Sequence, residues 1–116
     1  MKIGENDWNF DSLGKHIWRG EMETGQLLAL ARTVKEEGGQ LLALWGSDDR
    51  HLAPRERDGE QGGFAIHVAL LTGSGLVWVN AALPAESPAY PDLAHIFPQA
   101  DRMQRATFDL LGIRAT

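Results

Sequence analysis

The chain has 116 residues, 43% of them hydrophobic, and carries 11 Lys and Arg against 16 Asp and Glu, a net charge of -5. That length suits one domain with a single core, and that composition belongs to a folding chain. The acidic balance argues against a nucleic-acid or anionic-membrane partner, and the lack of cysteine excludes disulfides, thiolate metal sites and cysteine nucleophiles within the chain.

No apolar run reaches the roughly 18 residues that a membrane span needs, so no direct membrane insertion is expected. No cationic start with an apolar core and a small-residue cleavage site is read, and a cytoplasmic location fits. Residues 1–20 read as an N-terminal arm or short strand, and residues 21–116 as a single domain. Within the arm, LGKHIWRG at 13–20 suits a strand with Ile17, or its neighbours Trp18 and His16, turned inward.

From 21 to 37 the pattern turns helical. Leu27, Leu28, Leu30, Ala31 and Val34 recur at a 3.6-residue period and give one apolar stripe. Glu21 and Glu23 sit where a helix N-terminus favours negative charge, Thr24 is a candidate cap, and Gly38-Gly39 supplies the stop. QLLALW at 40–45 follows directly and reads as a short buried strand. Ser47-Asp48-Asp49 then turns the chain outward. The stretch RHLAPRERDGEQGG at 50–63 reads as a solvated, mobile loop.

The clearest pair lies at 63–72 and 76–83. Phe64, Ile66, Val68 and Leu70 alternate with Ala65, His67, Ala69 and Leu71, and Val77, Val79, Ala81 and Leu83 repeat the period in the second run. The intervening TGSG provides glycines for the turn, so an antiparallel hairpin is predicted. Pro84, Pro88 and Pro91 make the next stretch an extended connector, with a short helical turn through Leu93, Ile96 and Phe97. A last helix is predicted over 101–111, with Asp101 as N-cap, Gly112 as stop, and Met103, Ala106 and Leu110, with Thr107 or Leu111, on the inner face.

Chemistry is hard to find. His16, His51, His67 and His95 show no zinc-ligand spacing with each other or with a carboxylate. His67, on a central strand, is read as a hydrogen-bonded structural imidazole; a pocket near His67 and Asp48, serving a small ligand-binding or enzymatic α+β domain, is the alternative reading. Asp48 and Asp49 are adjacent on a strand, so their side chains diverge and they are read as turn formers. Gly73-Ser74-Gly75 satisfies neither the phosphate-loop pattern nor the nucleophile elbow. Trp45 and Trp78 are expected to fill the core, while any exposed tryptophan would mark an interface. Arg105 and Asp109 stand at i, i+4 and are expected to pair.

The closing stretch FPQADRMQRATFDLLGI resembles the signature of the C-type subunit of NADH-quinone oxidoreductase (respiratory complex I), and more closely the homologous N-terminal domain of the large subunit of formate-hydrogenlyase-type membrane-bound nickel–iron hydrogenases. That signature runs approximately aromatic-x-Glu-Arg-Glu-x-x-Asp-Leu-hydrophobic-Gly-Ile. Arg105, Asp109, Leu110, Leu111, Gly112 and Ile113 keep it. Gln104 and Ala106 replace its two glutamates, and Arg102 stands at the aromatic position, departures that favour the hydrogenase branch. YPDLAHIFPQA, GGQLLALWGSDD, GGFAIHVALL and GLVWVNAALP resemble the family's remaining elements, so the likeness covers about residues 21–113.

The resemblance implies an α+β fold, a two-layer α/β sandwich whose mixed sheet has a central antiparallel hairpin. It implies a structural or assembly subunit with no cofactor, no metal and no catalysis of its own. The implied partner is a large polypeptide, either the D-type subunit of complex I or the nickel–iron hydrogenase large chain, with no nucleic acid. It further implies a cytoplasmic position, peripheral to the inner face of the membrane through the complex. Arg102, Arg105, Asp109 and Ile113 are the candidate subunit interface.

Overall fold

The computed structural model describes residues 1–50 and 63–116. Its elements are β1 (Lys2–Ile3), β2 (Asn6–Asp7), β3 (Asp11–Gly14), β4 (Ile17–Glu21), α1 (Thr24–Glu36), β5 (Gln40–Asp48), β6 (Phe64–Thr72), β7 (Gly75–Leu83), β8 (Ala89–Tyr90), α2 (Ala100–Leu111) and β9 (Arg114–Ala115). The principal sheet has the order β3-β4-β7-β6-β5, antiparallel throughout except where β4 runs parallel to β7. Both helices cover one face of it, which gives the expected two-layer α+β architecture with the β6–β7 hairpin at its centre.

The hairpin forms where the alternation places it. Val68 pairs with Val79, and Leu70 with Val77, and these inward side chains are completely buried against Leu27, Leu30 and Val34 of α1. Thr72 and Gly75 close the turn. Gly75 adopts φ 131, a conformation open to glycine, and its missing side chain admits the backbone of His16 from the β3–β4 turn.

The stretch 13–20 forms the turn and arms of a second hairpin, β3–β4. Lys15-His16 makes that turn, with His16 at a positive φ of 64. Ile17 stays outward, and Gly20 is the buried member of β4 because the Phe10 ring lies where a side chain would be. The β4–β7 ladder continues through the Met22 N–H, which donates to the Asn80 carbonyl at 2.9 Å, and α1 begins at once. Glu23, not Thr24, is the N-cap, and the Gln26 side-chain oxygen accepts from the Glu23 N–H at 3.0 Å. Gly38, at φ 82, ends the helix, where the Gly39 N–H donates to the Val34 carbonyl at 2.8 Å.

β5 continues past the expected end at Trp45 to Asp48, because its far half remains paired with Phe64–Ile66 of β6. A register shift between Leu41 and Ala43 leaves Leu42 exposed. The loop read at 50–63 falls chiefly on residues 51–62, outside the described residues. The single helical turn after Pro91 is present, with the Phe97 N–H donating to the Leu93 carbonyl at 2.8 Å.

α2 lies on β5 but is rotated from its expected orientation. Ala100, Gln104 and Thr107 are buried, with Met103 and Leu111 half-buried, whereas Ala106 and Leu110 face outward. Two polar side chains therefore occupy the inner stripe, each with its own partner. The Thr107 hydroxyl donates to the Met103 carbonyl at 3.0 Å, and Gln104 serves the adjoining loop. Asp101 is in the first turn, one residue inside the helix; Gln99 is the N-cap. The guanidinium of Arg105 reaches back to Asp101 at 3.0 Å and not forward to Asp109.

The close approach of α2 to β5 depends on Gly46. A β-carbon there would lie 2.7 Å from Ile113 Cδ1, 2.9 Å from Thr107 Cγ2 and 3.2 Å from Leu111 Cδ1. Gly46→Val is expected to push the helix off the sheet and cost about 1–3 kcal/mol. Urea unfolding would show this as a lowered midpoint, and an unchanged midpoint would mean the contact is slack.

Candidate functional site

α2 and the strand that follows it form the first candidate surface. Gly112, at φ 72, ends α2 with its N–H donating to the Phe108 carbonyl at 2.7 Å. The turn sends Ile113 beneath the helix, where it is completely buried against the space left by Gly46. β9 then pairs in parallel with β8, and the Asp92 N–H donates to the Thr116 carbonyl at 2.8 Å. Of the four candidate interface residues, Arg102, Arg105 and Asp109 share the exposed side of α2, and Ile113 belongs to the core.

Gln104, where the family signature has a glutamate, is the central tie of this end. Its side-chain oxygen accepts from the Leu93 N–H at 2.9 Å and its amide donates to Asp92 Oδ1 at 2.8 Å. That second bond, then the Ala94 N–H donating to the same oxygen at 2.8 Å, holds the Asp92 carboxyl below its ordinary pKa, with His95 a lesser contributor at 3.3 Å from the other oxygen. An open groove of about 440 Å³ runs between α2 and β9, bounded by Asp92, Arg105, Phe108, Asp109 and Arg114. Charges of both signs line it, and the Arg114 guanidinium lies 5.4 Å from the centroid of the Phe108 ring. Phe108 is 44% exposed and Leu110 81%; two residues apart on the helix, they lie on opposite flanks of α2, with Arg102, Arg105 and Asp109 on the outer side between them.

The second surface is the sheet face opposite the helices. The pairing register puts Trp45, Ser47, His67, Trp78, Asn80 and Arg19 on this side. The Trp45 and His67 rings stack at 5.3 Å, Trp45 and Trp78 lie 6.1 Å apart, and Arg19 sits 5.1 Å above Trp78. The two strand tryptophans expected in the core are therefore on the uncovered face, because Trp45 pairs with His67, and Trp78 with Ala69, at outward positions.

His67 is held at both nitrogens. Nδ1 donates to Asn80 Oδ1, and Nε2 accepts from the Ser47 hydroxyl at 2.8 Å. His67 is hydrogen-bonded, as expected from sequence. The structure does not bring His67 and Asp48 together. Asp48 pairs with Phe64 on the helix-covered face and takes a two-pronged contact from Arg50 at 2.8 and 2.9 Å. No group of three or more His, Cys, Asp or Glu side chains suited to a metal ion occurs among the described residues.

Gln104→Leu tests the tie between α2 and the Asp92 loop. It strands the buried Leu93 N–H and is expected to cost about 1–3 kcal/mol at neutral pH. The stability contributed by ionised Asp92 is complete above the ordinary carboxylate value, about 3.9, and is lost as pH falls through the lowered folded value. Removing the main cause of that lowering should make the variant's stability less steep below about pH 4. Urea midpoints across acidic pH would check this, and parallel curves for the two proteins would refute the assignment.

Comparison with known proteins agrees with the fold and with the closing signature. The chain is 32% identical over 90 residues to an NADH-quinone oxidoreductase C/D subunit of Rhodopseudomonas palustris (strain BisB18), covering 73% of this chain and 16% of that protein. The chain thus spans about a sixth of the length of that curated relative. Its fold superposes on a solved structure described as Nqo5 of a trypsin-resistant fragment (1–134) in a P63 form, with a TM-score of 0.74, 18% identity, and coverage of 92% of this chain and 84% of that one. The profile of the respiratory-chain NADH dehydrogenase 30 kDa subunit matches residues 21–116, and the chain belongs to that family.

Proposed function

We propose that the chain is a non-catalytic assembly subunit, or the corresponding part of one, in a complex-I-like NADH:quinone oxidoreductase, and that it docks on the large, D-type polypeptide. The observation that carries this reading is the relative whose name joins the C and D types, in which the counterpart of this chain is a minor part of a longer polypeptide. A single polypeptide that carries both parts keeps them tethered to each other. Contact through the outer side of α2 is supported by exposed Phe108 and Leu110 among Arg102, Arg105 and Asp109. A helix side that presents arginines between an exposed aromatic and an exposed aliphatic side chain has a composition found at binding surfaces. The position at the inner membrane face would follow from the complex; no helix among the described residues is long and apolar enough to cross a membrane.

A nickel–iron hydrogenase large chain is the second reading for the partner. The departures from the closing signature at Arg102, Gln104 and Ala106 support it; at Gln104 the neutral amide donates to Asp92, where a glutamate would set a second carboxylate. The identity of the large polypeptide recovered with the chain, and whether it holds nickel, separates the two.

Coexpression with the large subunit encoded in the same genome provides the test. A stable pair is expected. Combining Arg102→Glu with Leu110→Asp should weaken it at least about tenfold, or roughly 1.4 kcal/mol, at unchanged thermal stability. Recovery of the wild-type chain alone under conditions that preserve complexes would overturn the proposal.

A further inference from the structure

The sheet face opposite the helices, which no element among the described residues covers, has the composition of a buried one. A sheet with one solvated face alternates apolar and polar residues, whereas strands buried on both faces read as continuous apolar runs. The outward positions of β6 are Ala65, His67, Ala69 and Leu71, and those of β7 are Leu76, Trp78, Asn80 and Ala82; none is Asp, Glu, Lys or Arg. Trp45 is 39% exposed on the flanking strand, and Leu71 is 41% exposed. The alanines keep the floor of the sheet low on either side of the Trp45–His67–Trp78 ridge, which leaves room for a helix to approach.

The polar atoms on this face give the occupant its chemistry. Trp78 Nε1, Asn80 Nδ2 and Arg19 Nε are buried nitrogens without a hydrogen-bond partner among the described residues, and Asn80 as a whole is 5% exposed. Arg19 is the register partner of Trp78, and Asn80 lies two residues further along the same strand, so the three donors form one local set. Buried donors without acceptors are uncommon and costly. Glu21 Oε1 lies 4.0 Å from an Arg19 terminal nitrogen on this face, but Arg19 Nε, Trp78 Nε1 and Asn80 Nδ2 themselves have no acceptor among the described residues.

We infer that this face is a second docking surface, covered in the assembled complex by an apolar helix of a neighbouring subunit that carries carboxylate or amide oxygens toward Arg19, Trp78 and Asn80. A helix satisfies its own backbone and brings no new unpaired donors, while its apolar stripe needs a surface of this kind. A second copy of the chain is a poorer occupant. It would set the same donor-rich face against itself, and each copy carries a net charge of -5. The inference rests on the proposed assembly role but concerns a face on the opposite side of the sheet from α2.

The test is site-specific photo-crosslinking in the cells that make the complex, with benzoylphenylalanine replacing Leu71 in one strain and Leu110 in another. The Leu71 probe is expected to join an apolar helical segment of another subunit, one with Asp, Glu, Asn or Gln in it, identified by mass spectrometry. Crosslinks from Leu110 but not Leu71 would overturn the sheet-face inference and leave the α2 reading standing. No crosslink from either, with the chain migrating alone on native gels, would remove both. A Leu71 crosslink to another copy of this chain would also overturn the inference. As a second measurement, Ala69→Glu should lower recovery of the assembled complex at least about fivefold while the isolated chain melts within a few degrees of wild type; full recovery would contradict the inference.

Discussion

The pairing of β7 with β4 on one side and β6 on the other holds the molecule together. β7 is the strand at which two separate hairpins meet. Its inward residues Val77, Val79 and Ala81 supply the floor on which α1 rests, and the Asn80 carbonyl takes the N–H of Met22 just before that helix begins. The same residue's side chain reaches through to the other face and fixes His67. One strand thus sets where the covering helix starts and how the uncovered face is ordered.

The C-terminal end depends on a second constraint, the absence of a side chain at Gly46. That gap lets α2 and Ile113 close onto β5, and Gly112 provides the left-handed turn that reverses the chain into β9. The most recognisable motif is therefore largely architectural: Gly112 turns, Ile113 fills, and Gln104 ties helix to loop. Asp109 and Leu110, also part of the signature, have no comparable task among the described residues, and Leu110 is almost fully exposed. Residues that fit a shared signature yet contribute little to their own core are best placed to meet another polypeptide.

Much of the fold is legible in the sequence because its signals are local. The stripe of Leu27, Leu30, Ala31 and Val34, the alternation in β6 and β7, and the glycines after each helix all act within a few residues. β4 is hard to read for the opposite reason: it is short, its buried member is a glycine, and its parallel partner is distant in the chain. The orientation of α2 departs from its apolar pattern because Gln104 and Thr107 are buried with hydrogen-bond partners that the pattern does not register, while Ala106 and Leu110 are apolar yet outward. Residue type alone puts Trp45 and Trp78 in the core; only the register shows that they share a face with His67. The separation of His67 from Asp48 follows from strand alternation once the pairing of Trp45 with His67 is known.

The domain presents two surfaces on opposite sides of one sheet. Such an arrangement suits a scaffolding role inside a larger oxidoreductase. The most direct measurement is a cryo-electron microscopy map of the intact complex purified through a tag on this chain. Ordered density from neighbouring subunits against both the Leu110 side of α2 and the Trp45–His67–Trp78 face is expected. Both surfaces open to solvent in the assembled particle, or a substrate bound at His67, would contradict a scaffolding role.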